Sequence, residues 1–127
     1  DFSPIIRGEK KPHDAGTLIM CITPFGEWTR NRGGKEYRGV RTERYTYVCD
    51  LNGPWLLFDN ENDPYQLTNL IGMPNQAKLQ NRLDKNLKKL LKKRKDQFLP
   101  GDEYVKQWGY TVDGSGTIPI NNDLPKP

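Results

Sequence analysis

The strongest constraint on this chain is a run of leucines between Pro74 and Phe98. Leu79, Leu83, Leu87, Leu90 and Leu91 recur at steps of four, four, three and one. At about 100° per residue they fall within an arc of ~120°, which predicts one long helix with a single apolar face. Pro74 suits the first helical position, where its missing N–H costs nothing. Pro100–Gly101 is expected to stop the helix. Arg94 falls inside the arc, so either the stripe ends near Leu91 or the Arg94 stem lies along it with its head in water.

An apolar helix face needs a partner layer, and the upstream sequence supplies one. Thr17–Thr23 (TLIMCIT) is a continuous apolar, β-branched run that reads as a buried central strand. Phe25 to Glu36 reads as a loop, broken by Gly26 and Gly33–Gly34. Tyr37–Thr42 and Tyr45–Asp50 read as a hairpin across Glu43–Arg44, which is not the usual Asn-Gly turn chemistry. Asn52–Gly53–Pro54 makes the next turn, and Trp55–Phe58 a further strand. The expected fold is α+β: about four antiparallel strands packed against one long C-terminal amphipathic helix, with an extended arm and tail. Residues 1–16 form the arm, with one short turn at Ser3–Ile6, residues 17–99 the folded unit, and residues 100–127 a Gly/Pro-rich tail. One short helix is expected in that tail, at Glu103–Trp108. With 34% apolar residues and a mean hydropathy of −0.88, the core is expected to be thin, as suits a piece that leans on something larger.

The basic balance has one source. Lys78 to Lys95 holds nine Lys/Arg and one acidic residue, while the remainder holds eleven basic and fifteen acidic residues. Lys85, Lys88, Lys89, Lys92 and Lys95 lie opposite the leucines. This is read as the solvated outer face of the helix, ahead of the alternative, an autonomous polyanion-binding module for glycosaminoglycans. The lysines are not interleaved with aromatic platforms, and no nucleic-acid partner is expected.

Little in the chain could run a reaction alone. His13 is the single histidine, in the polar arm, and reads as a surface residue. Cys21 and Cys49 read as buried free thiols in preference to a disulfide, which would need their strands to lie together. Asp59, Glu61 and Asp63 alternate like the start of an EF-hand loop, but Pro64 follows and the required Gly and Glu are missing, so they read as a turn. No phosphate-cradling loop, nucleophile elbow or zinc spacing occurs. No run approaches the ~18 apolar residues of a membrane span, and no membrane partner is expected. The chain begins at Asp1 without an initiator Met or signal segment, which reads as a processing boundary.

The stretch Glu36–Leu70, EYRGVRTERYTYVCDLNGPWLLFDNENDPYQLTNL, closely resembles the C-terminal subdomain of arylsulfatase-type sulfatases. That family shows an Arg-x-x-Arg-Thr strand, a tight turn, a Tyr-rich strand and then an Asp-Pro turn closing on Asn-Leu. Arg38, Arg41 and Thr42 match the first element; Arg44, Tyr45 and Tyr47 the second; Leu57–Asp59, Asn62–Pro64 and Asn69–Leu70 the third. Gln66 stands where an acidic residue is common. Asp1–Glu9 resembles the segment that leads out of the family's catalytic domain.

The resemblance implies a C-terminal fragment of a sulfuric ester hydrolase on sulfated carbohydrate, flanking the active-site cleft and inactive by itself. It implies the parent's own N-terminal catalytic domain as partner, and a periplasmic or secreted parent. It implies calcium and a formylglycine residue for that parent, and no cofactor in this fragment. Formylglycine matures from Cys/Ser-x-Pro-x-Arg. Cys21 is followed by Ile22, Thr23, Pro24 and Phe25, so it is not that nucleophile. The residues expected to touch substrate are Glu27 and Trp28, with Arg38 and Arg41: an indole stacks on a sugar ring, and carboxylates and guanidinium forks bind hydroxyls and sulfates. Arg38 and Arg41 lie on opposite strand faces, so at most one can point at a given site.

Overall fold

The computed structural model describes residues 6–8 and 16–113. His13, most of the expected arm and the chain after residue 113 lie outside the described residues. Four strands form one antiparallel sheet: β1 (Thr17–Cys21), β2 (Tyr37–Arg41), β3 (Tyr45–Asp50) and β4 (Gly53–Asp59). Their order is β1-β2-β3-β4, so chain neighbours are also sheet neighbours. A 3-10 turn at Pro74–Gln76 leads into helix α1 (Ala77–Arg94), and a short helix α2 (Gly101–Gln107) follows. The α+β architecture is the one the periodicities predict.

The core is one row of side chains across the sheet met by one stripe of the helix. Leu18 pairs with Val40, Val40 with Tyr47, and Tyr47 with Leu57. Val40, Tyr47 and Leu57 are fully buried against Leu83 and Leu87 of α1, with Leu79, Leu90 and Leu91 packed around them. The leucine stripe therefore ends at Leu91, and Arg94 is exposed.

β1 differs from expectation: it is an edge strand, not a central one. A continuous apolar run does not fix whether a strand has a neighbour on both sides, and here no β1 residue is fully buried. Leu18 packs into the core, while Met20 stays 41% exposed. The helix also stops earlier than Pro100. Lys95 adopts a left-handed φ of 57° and Asp96 donates its N–H to the Leu91 carbonyl at 3.0 Å, which closes α1 at Arg94. Nor does packing stop at residue 99. Tyr104 of α2 is buried, and a Cβ on Gly101 would collide with the Thr23 hydroxyl and the Ile22 carbonyl, so only glycine lets α2 close on the end of β1.

The family-like motif residues have structural work. Thr42 Oγ1 accepts the Tyr45 N–H at 2.8 Å, which holds the β2–β3 turn without Asn-Gly. Asn69 accepts the Leu57 N–H and donates to the Trp55 carbonyl, each at 3.0 Å, and the Leu70 N–H donates to the Leu57 carbonyl at 2.8 Å. Asn69–Leu70 thus caps the outer edge of β4 like a short added strand. Asp59 accepts both ends of the Arg44 fork, at 2.9 and 2.7 Å, and the Asn62 amide at 2.9 Å; it belongs to a turn.

Candidate functional site

The long β1–β2 connection, residues 22–36, carries two of the four expected contact residues. It is folded on itself: the Trp28 N–H donates to Phe25, the Arg32 and Gly34 N–H groups to Thr29, and a 3-10 turn spans Arg30–Arg32. A Cβ on Gly34 would strike the Trp28 carbonyl, so the loop closes only around glycine. Trp28 leans edge-on against Tyr37, centroids 5.9 Å apart at 61°, and remains 38% exposed. Tyr37 continues to Trp55 at 6.3 Å, where Lys35 Nζ sits 4.7 Å from the ring. Glu27 is exposed and pairs with Arg32 at 2.7 Å.

The two arginines of β2 have different surroundings. Arg38 is fully buried on the helix face. Its Nε donates to Asp96 at 2.5 Å and its Nη1 to the carbonyls of Cys21 and Tyr37, at 3.0 and 2.9 Å, while Phe98 lies 4.9 Å from the guanidinium. Asp96 also accepts the Tyr104 hydroxyl at 2.5 Å and the Phe98 N–H at 2.8 Å. Burial alone would raise the Asp96 carboxyl; the hydrogen bonds from Arg38 and Tyr104 outweigh it and hold the group below its ordinary range. Arg41 lies at the far end of β2, exposed, and donates to Thr46 at 2.7 Å and Asn60 at 3.1 Å. Gln66 joins that cluster by donating to Asn60 at 2.7 Å. Glu27 and Trp28 share the loop that leans on Tyr37 at the start of β2, whereas Arg41 stands at the other end of that strand, four residues or about 13 Å from Tyr37.

Beside Trp28 the structure holds a feature the sequence reading did not single out. An apolar groove of about 700 Å³ runs along β1, with Met20, Phe25, Trp28 and Tyr37 on one side and Tyr104, Val105, Trp108, Tyr110 and Val112 on the other. Trp108 lies 5.2 Å from Tyr104 and 6.2 Å from Tyr110, centroid to centroid. A polar cleft adjoins it, lined by Glu27, Thr29, Arg30, Asn31, Arg32 and Asp102. One buried carboxylate ties the two walls together: Glu36 accepts Arg30 Nη2 at 2.5 Å and the Gly101 N–H at 3.2 Å, and Arg30 reaches Asp102 at 3.1 Å. Burial works against the Glu36 charge, but these donors hold its carboxyl below the usual value. The available signal was the spacing Tyr104, Trp108, Tyr110: aromatics four and two apart in an otherwise polar stretch.

Both cysteines are free. They sit on β1 and β3 with β2 between them, so they cannot bond. Burial pushes both thiols up, away from the thiolate form. Among the described residues no three His, Cys, Asp or Glu side chains converge as metal ligands. Among them, too, no helix is long and apolar enough to cross a membrane.

Comparison with known proteins gives a consistent answer. A family model described as N-sulphoglucosamine sulphohydrolase, C-terminal, matches residues 2–93. Over 110 residues the chain is 39% identical to the ulvan-active sulfatase of Formosa agariphila, covering 87% of this chain and 21% of that protein. The chain thus spans about a fifth of the length of the curated relative it matches. Among solved structures, a 2-O GAG sulfatase superposes with a TM-score of 0.63 at 25% identity, over 77% of this chain and 20% of that one. A protein solved in complex with its substrate D-glucosamine-2-N,6-O-disulfate superposes at 0.66 with 24% identity, over 81% and 21%, a likeness of fold.

Proposed function

The chain belongs to the family of N-sulphoglucosamine sulphohydrolase C-terminal domains, and from that premise we propose that it borders the active-site cleft of a sulfatase acting on sulfated carbohydrate. The observation that carries this reading is the 39% identity over 110 residues to an ulvan-active sulfatase. A sulfated polysaccharide of that kind is accordingly the proposed substrate class, and the parent's N-terminal catalytic domain the proposed partner.

In this role the chain binds and orients; it performs no bond-breaking step. Among the described residues no three metal-ligating side chains converge, and Cys21 lacks the Pro and Arg spacing of the maturation motif. Calcium and formylglycine are assigned to the remainder of the parent. Trp28 offers an exposed indole face, and Glu27 with Arg32 offers a carboxylate and a guanidinium beside it, which suits a sugar ring and its hydroxyl or sulfate groups. Arg41 is exposed and keeps donors for an anionic group at its own end of the sheet. Arg38, fully buried with its fork engaged by Asp96, is assigned to positioning α2 and the groove wall.

The test is sulfate release by the full-length protein that carries this chain, assayed on ulvan oligosaccharides and on N-sulfated glucosamine, with mass spectrometry for formylglycine. Release from either substrate together with a formylglycine peptide is the expected result. No release from both, with an unmodified peptide, overturns the reading.

A further inference from the structure

We propose that the groove between the β1–β2 loop and the Tyr104–Tyr110 segment is a sugar-stacking subsite, built by Trp28, Trp108 and Tyr110, for a ring of the sulfated polysaccharide. The inference rests on the sulfatase reading and deepens it. Three observations carry it.

The first is surface chemistry. Trp28, Trp108 and Tyr110 are 38%, 52% and 42% exposed and line one groove. Apolar surface of this kind on a folded chain marks a binding site. Its platforms are aromatic rings, and the adjoining cleft is polar and charged. A pyranose ring has the matching pattern, a C–H face that stacks on an indole and a rim of hydroxyl or sulfate oxygens that take hydrogen bonds. The Glu27–Arg32 and Arg30–Asp102 pairs beside the groove are solvent-exposed and offer acceptors and donors at the rim for hydroxyl or sulfate oxygens. The second is size: about 700 Å³ lies within the ~300–1,000 Å³ of small-molecule sites. The third is preorganisation. Glu36 joins Arg30 to the Gly101 N–H, and Asp96 joins Arg38 to the Tyr104 hydroxyl. Two walls joined by links that span 65 and 58 residues of chain are therefore fixed before a ligand arrives, which lowers the ordering cost of binding.

Trp108 and Tyr110 lie beyond residue 93, where the family match ends. The subsite thus joins a loop inside the matched region to aromatics outside it, an arrangement suited to setting which polysaccharide is held.

The test uses the full-length protein carrying this chain, its Trp108→Ala, Tyr110→Ala and Trp108→Phe variants, and ulvan oligosaccharides. We expect KM to rise about tenfold in Trp108→Ala with kcat unchanged, the behaviour of lost binding, and Trp108→Phe to recover most of it. Sulfate release with kinetic constants unaltered in both alanine variants overturns the subsite and leaves the sulfatase reading standing. If no sulfate is released at all, the sulfatase reading fails, and the subsite is judged by tryptophan fluorescence on titration with the same oligosaccharides. No change, or an equal change in Trp108→Ala, then overturns it. Shielding of Trp108 from iodide quenching in the ligand-free protein also overturns it, because another part of the polypeptide would fill the groove.

Discussion

Arg38 of β2 and Asp96, two residues past the end of α1, form an ion pair at 2.5 Å with the arginine side chain fully buried. The pair fastens the chain after the long helix to the sheet, and through Tyr104 it fastens α2 as well. Removing one partner leaves the other charged and dry, which costs about 3–5 kcal/mol. Arg38→Met is expected to lower stability by that order, read by urea unfolding. Asp96→Asn keeps one acceptor for Tyr104 but leaves the buried Arg38 without a counter-charge, so a loss of the same order is expected. Equal stability of Arg38→Met and wild type would mean the pair holds nothing together.

Asn69 replaces a missing strand at the β4 edge. Asn69→Ala leaves the Leu57 N–H and the Trp55 carbonyl without their side-chain partner, for which about 2 kcal/mol is expected. Asn69→Asp keeps the acceptor for Leu57 but loses the donor to Trp55, so it should fall between. Amide hydrogen exchange at Leu57 is the direct readout: faster in Asn69→Ala, near wild type in Asn69→Asp.

Acid should unfold the domain from the carboxylates inward. The Arg44 fork holds the Asp59 carboxyl at about 2. Glu36, Asp50 and Asp96 are also held low: burial opposes each charge, and Arg30, Lys35 and Arg38 respectively outweigh it. A carboxyl whose folded pKa is depressed stabilises the fold above its unfolded value and loses that contribution as pH falls through the folded value. Melting temperature is therefore expected to be level from pH 7 to about 5 and to drop below about 4, the unfolded range of Asp and Glu. A melting temperature that rises on acidification would contradict these assignments.

The lysine face of α1 is expected to be inert in function. Lys88 pairs with Asp84 at 2.6 Å one turn away, and exposed i,i+4 pairs contribute only about 0.3–0.5 kcal/mol. Neutralising Lys88, Lys89, Lys92 and Lys93 together should leave sulfate release unchanged and shift heparin-column elution no further than the lost charge accounts for. A larger shift, with loss of activity, would make that face a polyanion site.

The helix, the hairpin and the strand count were legible because period and turn chemistry are local. Leu83 and Leu87 announce their burial by spacing alone. Strand position was not legible, because the apolar run at Thr17–Cys21 says nothing about edges, and its strand is only partly covered. The structural role of Arg38 is not legible on β2, because its partner, Asp96, lies 58 residues away and no local pattern reveals that its charge is neutralised internally. The groove escaped for a related reason. Trp108 and Tyr110 stand in a Gly/Pro-containing stretch that looks like a tail until Gly101 is seen closing against Thr23.

The sequential order of the strands has a consequence for how such a domain can diversify. Each hydrogen-bonded register is set between chain neighbours, so the β1–β2 connection can gain or lose residues without sliding any strand over the leucine stripe. The same holds for the segment after α1, which is tethered at Asp96, Gly101 and Tyr104 and can vary between and beyond those points. Phe25 and Trp28 on one wall of the aromatic groove, and Trp108 and Tyr110 on the other, come from these two replaceable parts. A single invariant frame can in this way carry interchangeable recognition surfaces, and relatives with the same sheet and helix are expected to differ most where residues 22–36 and 102–113 stand here.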